Sequence, residues 1–197
     1  RDLKDTKKCF HLYDTNEKKV IDSLNFDIYE GAKISRKLLP IDTLIYENVI
    51  YDGYELLLDY LSKIDSERYV TMISVADDAS SNMTEEVQDA LFKLGLKETL
   101  IDAFRESYIA VINGEKVVFE EKGDQVLVFS TEIDGLKIQI ESAGGVTDAH
   151  ANIKIDGIDY AQNVRGINMV VYDKFLGIVC DSICFDLYNG YDVKMKQ

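Results

Sequence analysis

The sequence YDTNEKKVIDSLNFDIYEG at residues 13–31 recurs as YDKFLGIVCDSICFDLYNG at residues 172–190. Residue n of the first copy aligns with residue n + 159 of the second without a gap, and nine of the nineteen positions are identical. Each copy predicts a strand, a tight turn, a second strand and an exit with the pattern Phe-Asp-x-Tyr. A repeat at a fixed offset indicates two copies of one structural unit, so we expect the two stretches to form equivalent strand pairs.

Two segments between the copies have helical character. Residues 54–64 place leucines and an isoleucine at helical spacing, which predicts an amphipathic helix. Residues 84–94 predict a second helix, because Asn82 or Thr84 can cap its start and Gly95 can stop it. We therefore expect two short helices in the middle of the chain.

Strand signals fill most of the remaining sequence. The continuous apolar run at 69–76 predicts a buried strand, and Asn113-Gly114 and Asp156-Gly157 predict hairpin turns. Further β-rich segments lie at 107–112, 116–119, 125–129, 136–141, 151–155 and 168–172. The sequence therefore predicts an α+β fold with many antiparallel strands.

Composition narrows the classes of partner. The 197 residues carry a formal net charge of −14, which argues against a nucleic-acid backbone or an anionic membrane as the main partner. No apolar run approaches the roughly 18 residues that a membrane span needs. The chain begins at Arg1 without Met, so we expect a piece of a longer protein. Its localisation stays open, between the cytoplasm and the cell envelope for a bacterial source, and its oligomeric state is not indicated.

Cysteine and histidine give little support for a metal or a disulfide. The three cysteines are Cys9, Cys180 and Cys184, and the two histidines are His11 and His150. Cys180 and Cys184 are four residues apart in one predicted strand, roughly 13 Å along it, which is too far for a disulfide. No Cys-x-x-Cys pair occurs, so a structural zinc site is disfavoured. We expect buried free thiols and no cofactor.

A series of short motifs points to a known family. They are SAGG (142–145), ANIKIDGIDY (151–160), RGINMVVYD (165–173), FDLYNG (185–190), FDIYEG (26–31), SVADDASSNMTEEVQDALFKLG (74–95) and FRESYIAVING (104–114). Together they resemble the interleukin-like EMT inducer (ILEI) domain, a cytokine-like domain. That domain also forms the stem of the protein O-mannose N-acetylglucosaminyltransferase and occurs in bacterial polysaccharide-biosynthesis proteins.

The resemblance divides the chain into two family segments. Residues 1–125 resemble a first unit whose start is missing, and residues 126–197 resemble the start of a second unit. The first copy has Thr6-Lys7 where the second has Arg165-Gly166. Either the segments belong to two domains, or the second completes the first in permuted order. The resemblance implies a β-β-α fold of two packed antiparallel sheets flanked by short helices.

The resemblance also implies a sugar-binding site, because the transferase stem domain binds a sugar through a few polar side chains. Carried over position by position, these are Arg165 of RGIN, Asp77 of ADDAS and Arg105 of FRESY. Tyr108 or Phe104 would supply an apolar wall. The competing interpretation is a structural salt bridge between Asp77 and Arg105 that ties a strand end to a loop.

Other kinds of site have weaker support in the sequence. Asp77 and Asp78 are adjacent on a strand and point to opposite faces, which disfavours the paired carboxylates of a glycosidase. The same loop lacks the ligand spacing of an EF-hand. We interpret the Asp-Ser and Phe-Asp residues that recur in both copies as structural groups that bind backbone N–H.

These features lead to two hypotheses of function. The first is a non-catalytic carbohydrate-binding module of a glycosyltransferase or of a surface-polysaccharide biosynthesis protein, with a glycan as partner. It depends on the resemblance and on the lack of a catalytic constellation in the sequence. The alternative is a cytokine-like signalling or protein-interaction domain. An enzyme is disfavoured, because neither histidine lies near a nucleophile motif.

Overall fold

The chain divides after Asp52 into two compact units, Arg1–Asp52 and Gly53–Gln197. The computed structural model describes residues 7–14, 19–27, 33–38, 53–64, 67–145, 148–189 and 191–195. The predicted boundary between the family segments, at residue 125, falls inside the second compact unit.

The first unit contains a three-stranded antiparallel meander. Its strands are β1 (Lys7–Asp14), β2 (Lys19–Asp27) and β3 (Lys33–Leu38). β2 is central, with β1 on one edge and β3 on the other. The β1–β2 register shifts by one residue between Leu12 and Tyr13, which marks a bulge.

The second unit is a mixed sheet with two helices, so the chain has a broadly α+β fold. The helices are α1 (Gly53–Ile64) and α2 (Glu85–Lys93). The strands are β4 (Tyr69–Asp77), β5 (Ser107–Asn113), β6 (Lys116–Gly123), β7 (Leu127–Ile133), β8 (Leu136–Gly144), β9 (His150–Ile155), β10 (Ile158–Asp159), β11 (Gly166–Asp173), β12 (Ile178–Asp186) and β13 (Asp192–Met195). The hydrogen-bonded path runs β10-β9-β8-β4-β11-β12-β13, with β5 and β6 joined to β4, and β7 joined to β8.

Both predicted helices are confirmed. Thr84 caps α2, because its hydroxyl accepts a hydrogen bond from the Val87 N–H at 3.2 Å. Gly95 follows α2 with a φ of +88°, the left-handed geometry that favours glycine at a helix end. α1 buries Leu57 and Leu61 of the predicted stripe. No helix in the described part of the chain is long and apolar enough to cross a lipid bilayer.

The two predicted hairpin turns are also confirmed. Gly114 joins β5 to β6 with a φ of +60°. Asp156 and Gly157 join β9 to β10, and both have positive φ, which is the geometry of the tight turns that match strand twist.

The prediction that the repeated sequences form equivalent strand pairs is confirmed. β11 and β12 pair antiparallel, from Ile167 opposite Phe185 to Asp173 opposite Ile178. Their register shifts between Val171 and Tyr172, the positions that match the bulge of β1. The same sequence pattern therefore produces the same local backbone structure twice.

β4 is the central strand of the second unit. It pairs antiparallel with β5 on one side and with β11 along its whole length on the other. One pair departs from the antiparallel pattern that we predict: β4 and β8 are parallel, with Ala76 opposite Ala143 and Asp77 opposite Gly144. The sheet is mixed for this reason.

The apolar run of β4 is continuous because both of its faces are buried. Ile73 and Val75 belong to a core that the helices cover. Val70 and Met72 belong to a second core, to which β8 and β9 contribute alternate isoleucines. A strand in this position has no solvent-facing side, so its sequence shows no alternation.

The cysteine predictions are confirmed in part. Cys180 and Cys184 lie on the same strand, β12, and both are free thiols. Cys184 is buried as expected, but Cys180 is exposed, so the prediction of burial is wrong for Cys180. The side chain of Cys9 lies outside the described residues.

Buried serine hydroxyls support the short contact between β8 and its neighbours. Ser142 of β8 donates to the Val75 carbonyl of β4 at 2.6 Å and accepts from the Tyr108 N–H of β5 at 2.9 Å. Ser107 of β5 accepts from the Gly144 N–H at 2.9 Å. Because the main-chain ladder between β4 and β8 has only two residue pairs, these hydroxyls supply additional hydrogen bonds at the junction.

We predict that Ser142→Ala destabilises the protein by about 1–3 kcal/mol, because it leaves a buried N–H and a buried carbonyl without their partner. Denaturant unfolding of the full chain measures this. Ser130→Ala is the matched control, since Ser130 lies exposed on β7, and it should leave stability within about 0.5 kcal/mol of the native value. Equal stabilities of the two variants would contradict the junction role of Ser142.

Candidate functional site

Three strand ends meet at one edge of the second unit. β4 ends at Asp77, which the register places beside Gly144 at the end of β8. On the other side, Gly166 at the start of β11 pairs with Ala76, so Arg165 precedes that pair at the same edge. Side chains at strand ends are suited to binding, because a rigid scaffold aims them at solvent.

Arg105 reaches this edge through the loop that precedes β5. Its carbonyl oxygen accepts from the Gly145 N–H at 3.1 Å, and its guanidinium Nη1 lies 3.5 Å from the Gly145 carbonyl oxygen. The approach requires glycine at position 144, because a Cβ there would lie 2.0 Å from the Arg105 carbonyl oxygen. The SAGG motif therefore permits close packing of β8 against the Arg105 loop.

Asp77 and Arg105 lie together at this edge and form an ion pair, which is the contact that the competing salt-bridge interpretation expects. The Nε of Arg105 lies 3.5 Å from Oδ1 of Asp77, and their side chains are 52% and 29% exposed. Both residues also have left-handed backbone geometry, with φ of +57° for Asp77 and +60° for Arg105. Such geometry is uncommon for residues other than glycine and is found at functional sites more often than elsewhere.

Arg165 is held more firmly than Arg105. Its Nε and Nη2 each donate to a different oxygen of Asp186 at 2.9 Å, a bidentate pair. Its guanidinium carbon lies 4.3 Å from the centre of the Tyr188 ring. The hydrogen bonds to Asp186 raise the pKa of Arg165, and the Asp77 carboxylate adds to this rise. Asp77 therefore lies within electrostatic reach of both arginines.

Two exposed aromatic rings flank the charged groups. Phe104 is 63% exposed and lies beside the Arg105 guanidinium, with 5.3 Å between the guanidinium carbon and the ring centre. Tyr188 is 54% exposed beside Arg165. We define Asp77, Arg105, Arg165, Phe104 and Tyr188 as the rim site.

Tyr108 does not belong to the rim site. Its side chain is 1% exposed, and its hydroxyl donates to Glu120 at 2.9 Å. The prediction that it supplies a wall for a ligand does not fit this position, because β5 is buried on both faces and its tyrosine lies in the core. Phe104, the other candidate in the sequence, is the exposed one.

Asp78 organises the loop below the rim site. It is 2% exposed and accepts hydrogen bonds from Ser80 N–H at 3.0 Å, from Ser80 Oγ at 2.7 Å and from Ser81 N–H at 3.2 Å. It also accepts from the Arg105 N–H at 3.4 Å. Burial acts to raise the pKa of Asp78, but the hydrogen bonds from Ser81 and Ser80 outweigh it, so this pKa lies below its ordinary value of 3.8.

The geometry does not provide the other chemistries considered. The Asp78 carboxylate binds loop N–H and hydroxyl groups, so it is not presented to a substrate beside Asp77. In the part of the chain that the structure describes, no group of three or more His, Cys, Asp or Glu side chains is arranged to hold a metal ion. A shallow depression of about 100 Å³ on β7–β9 shares no lining residue with the rim site.

Sequence reasoning missed Asp186 and Tyr188. Both occur in the recurring Phe-Asp-x-Tyr pattern, of which we interpret only the Phe-Asp pair, as a structural group that binds backbone N–H. Asp186 binds the guanidinium of Arg165, a side-chain contact that this interpretation does not include. Asn82 fixes the backbone next to Tyr188, because its side-chain amide donates to the Leu187 carbonyl at 2.8 Å. The tyrosine of the Phe-Asp-x-Tyr pattern was the signal in the sequence that could have identified Tyr188.

The family described as interleukin-like EMT inducer matches residues 9–114 of the chain. No curated protein matched the chain, and no solved structure matched it.

We predict that Asp78→Asn removes an acid-sensitive part of the stability. Because the folded pKa of Asp78 is depressed, its contribution is fully present above the ordinary pKa of 3.8 and is lost as the pH falls through the lower folded value. At pH 7 the variant should be less stable than the native chain by about 1–3 kcal/mol. The difference should narrow at acidic pH.

Urea unfolding at a series of pH values measures this difference. Asp124→Asn is the matched control, because Asp124 is exposed between β6 and β7. That control should follow the native pH profile. An Asp78→Asn variant with the same profile as the native chain would show that Asp78 does not organise the loop.

Proposed function

The chain belongs to the interleukin-like EMT inducer family, since that family matches more than half of it, and from this we propose that it is a non-catalytic carbohydrate-binding module. In this proposal it serves a glycosyltransferase or a surface-polysaccharide biosynthesis protein. Its similarity to the transferase stem domain and to the bacterial domains is part of the same proposal. The glycan is the partner, and neither a nucleic acid nor a cofactor takes part.

The observation that carries the proposal is the composition of the rim site. An exposed aromatic ring beside planar guanidinium donors and a carboxylate acceptor is the combination that sugars require, because a pyranose presents vicinal hydroxyls and an apolar ring face. Arg105 pairs with Asp77 and Arg165 pairs with Asp186. These charges balance, which suits a ligand that offers hydroxyl groups rather than an anion.

The proposed fold follows the family as well. We propose that residues 126–197 complete the first family segment, with two packed β layers and helices outside. The pairing of β4 with β11 supports this, because the two strands come from different family segments. The second core supports the two layers, because β4, β5 and β11 contribute to it together with β8 and β9.

One observation favours the alternative, a cytokine-like signalling or protein-interaction domain. The β11–β12 hairpin exposes Phe175 at 81%, Leu176 at 44% and Ile178 at 44%. Exposed apolar groups on a hairpin tip are suited to contact with another protein. The corresponding positions of the first copy are Asn16, Glu17 and Lys19, so the first copy does not repeat this apolar tip.

The first test is a glycan array with the full chain, followed by affinity measurements on any glycan that binds. We predict that Arg105→Ala weakens glycan binding by about 1–3 kcal/mol, the range for losing a charged hydrogen-bonding group. Its stability should change by about 0–1 kcal/mol, because the ion pair with Asp77 is largely exposed.

Arg68→Ala is a control for which we expect the opposite result. Arg68 donates to Asp173 at 2.6 Å, beside the start of β4, at the end opposite Asp77. This variant should lower stability and leave glycan affinity unchanged. An Arg105→Ala variant that melts early and binds as the native chain does would support the salt-bridge interpretation and end the sugar-site proposal.

The aromatic wall has its own test. We predict that Phe104→Ala weakens glycan binding by about 0.5–1.5 kcal/mol, the worth of an aromatic stacking contact. Phe175→Ala is the matched control, because Phe175 is also exposed and also lies beside an arginine, Arg68. The signalling alternative would be favoured if Phe175→Ala reduced binding to a protein partner while Phe104→Ala did not.

A further inference from the structure

Some strands of the second unit pair with a described strand on one side only. They are β6, β7, β10 and β13. Such a strand leaves one row of backbone N–H and C=O groups outside the ladder, and proteins commonly protect that row with a short strand, a bulge or charged side chains. An edge that lacks this protection can accept an additional strand.

Three of these edges are protected. β10 has two residues and β13 has four, so each offers a short row of backbone groups. β6 has eight residues, but four of them are charged, and its register with β5 shifts so that Val118 has no partner. Charged side chains and a bulge both hinder the addition of a strand.

The edge of β7 has none of these protections. The strand has seven residues with an unbroken register against β8, and it contains one charged residue, Glu132, and no proline. Two β-branched apolar side chains near its start are exposed, Val126 at 51% and Val128 at 64%. A strand of this length and composition is suited to pairing with another strand.

The turn after β7 determines which of its backbone groups face the open edge. The two turn residues, at 134–135, both have positive φ. Ile133 and Leu136 flank this two-residue turn, so they exchange backbone hydrogen bonds with each other. Bonded and non-bonded pairs alternate along antiparallel strands. Three residues therefore direct their N–H and C=O groups away from β8: Val128, Ser130 and Glu132.

Hydrogen bonds on the other side of β8 agree with this assignment. Lys137 of β8 lies opposite Glu132. Its carbonyl oxygen accepts from the N–H of Asp156, in the turn after β9, at 2.8 Å. Its own N–H donates to the Asp156 carboxylate at 3.1 Å. Both backbone groups of Lys137 are bound away from β7, as a non-bonded pair requires.

An aromatic pair beside this edge indicates an apolar requirement. The rings of Phe119 on β6 and Phe129 on β7 stack with their centres 3.8 Å apart. Both side chains pack against the second core but are only partly buried. A strand added to β7 would place alternate side chains on this face, where an apolar one would cover the exposed part of the pair.

Formal charge indicates the second requirement. Residues 124–134, which contain β7 and its flanking turns, hold three acidic residues and no basic one. Residues 53–197 hold thirteen Lys or Arg against twenty-six Asp or Glu, a charge of −13. A basic segment is therefore attracted to this edge, whereas an acidic one is repelled.

We propose that β7 binds an extended, basic segment of another protein as an additional strand. The backbone of that segment pairs with the outward groups of Val128, Ser130 and Glu132. Its apolar side chains pack over Phe119 and Phe129, and its Lys or Arg side chains lie on the opposite face, beside Glu132. This edge shares no residue with the rim site, so the proposal does not depend on glycan binding.

The first experiment selects peptides from a phage-displayed library of short random sequences with the full chain at low ionic strength. We expect the enriched peptides to be basic and to alternate apolar with polar residues. Their binding should weaken as salt is added, because the attraction is between charges at the surface. Enrichment of acidic peptides, of peptides without alternation, or of none at all would overturn the proposal.

Amide hydrogen exchange by NMR locates a selected peptide on the chain. In the free chain the amides of Val128, Ser130 and Glu132 should exchange rapidly, whereas those of Phe129 and Thr131 are bonded to β8 and should exchange slowly. Saturating peptide should slow the first three by about tenfold or more, because strand pairing protects amide groups. Protection confined to another surface would overturn the proposal.

A proline at the edge tests the backbone contact. Ser130→Pro removes one outward N–H, and proline is compatible with an edge strand where its missing N–H faces solvent. We expect this variant to weaken peptide binding by about tenfold or more, since one backbone hydrogen bond is lost and its partner is left unpaired. Ser130→Ala is the matched control, because it keeps the N–H, and it should bind as the native chain does.

N-methylated peptides give the same test on the native chain, should Ser130→Pro not fold. A strand added to β7 pairs at every second residue, so N-methylation of successive peptide positions should weaken binding only at alternate ones. Weakening without this alternation, or at no position, would overturn strand addition.

A charge variant tests the choice of a basic partner. Glu132→Gln should weaken the selected peptides severalfold at low salt, whereas Glu85→Gln, at an exposed position on α2, should not. Equal affinities of the two variants would contradict the charge requirement. Protection of Val128, Ser130 and Glu132 that rises with protein concentration in the absence of peptide would identify a second copy of the chain as the occupant and overturn the assignment to another protein.

Discussion

The structure of the second compact unit depends on keeping β4 covered on all sides. Its apolar side chains belong to two separate cores, one on each face, so neither face can be exposed to water. Both of its edges are hydrogen-bonded, to β5 and to β11, and its last residues also pair with β8. Removal of either neighbour would expose apolar surface and unpaired backbone groups together. The helices and the outer strands are arranged around this one strand.

Much of the fold could be predicted because its signals are local. The α2 cap at Thr84, the stop at Gly95 and the turn at Gly114 each depend on the conformational preference of one residue. The equivalent hairpins could be predicted because the same residues recur in the same order. Short sequence patterns decide these features without any contact between distant parts of the chain.

The features that could not be predicted depend on contacts between distant segments. The parallel pair of β4 and β8 is two residues long and is supported by the buried hydroxyl of Ser142, which looks like any other serine in the sequence. Tyr108 could not be assigned to the core from its type, because tyrosine is found both in cores and at exposed ligand walls, and only its position shows that it is buried. In both cases the environment of the residue, and not its type, decides its role.

The candidate site also has some features that could be predicted from the sequence and others that could not. The family motifs could identify Asp77, Arg105 and Arg165, because each lies beside a strand boundary that local sequence marks. They could not show that Asp186 fixes Arg165 or that the Tyr188 ring lies over its guanidinium, since those contacts join the end of β12 and the turn after it to the segment before β11. The identity of the charged residues was therefore predictable, but the rigidity of Arg165 was not.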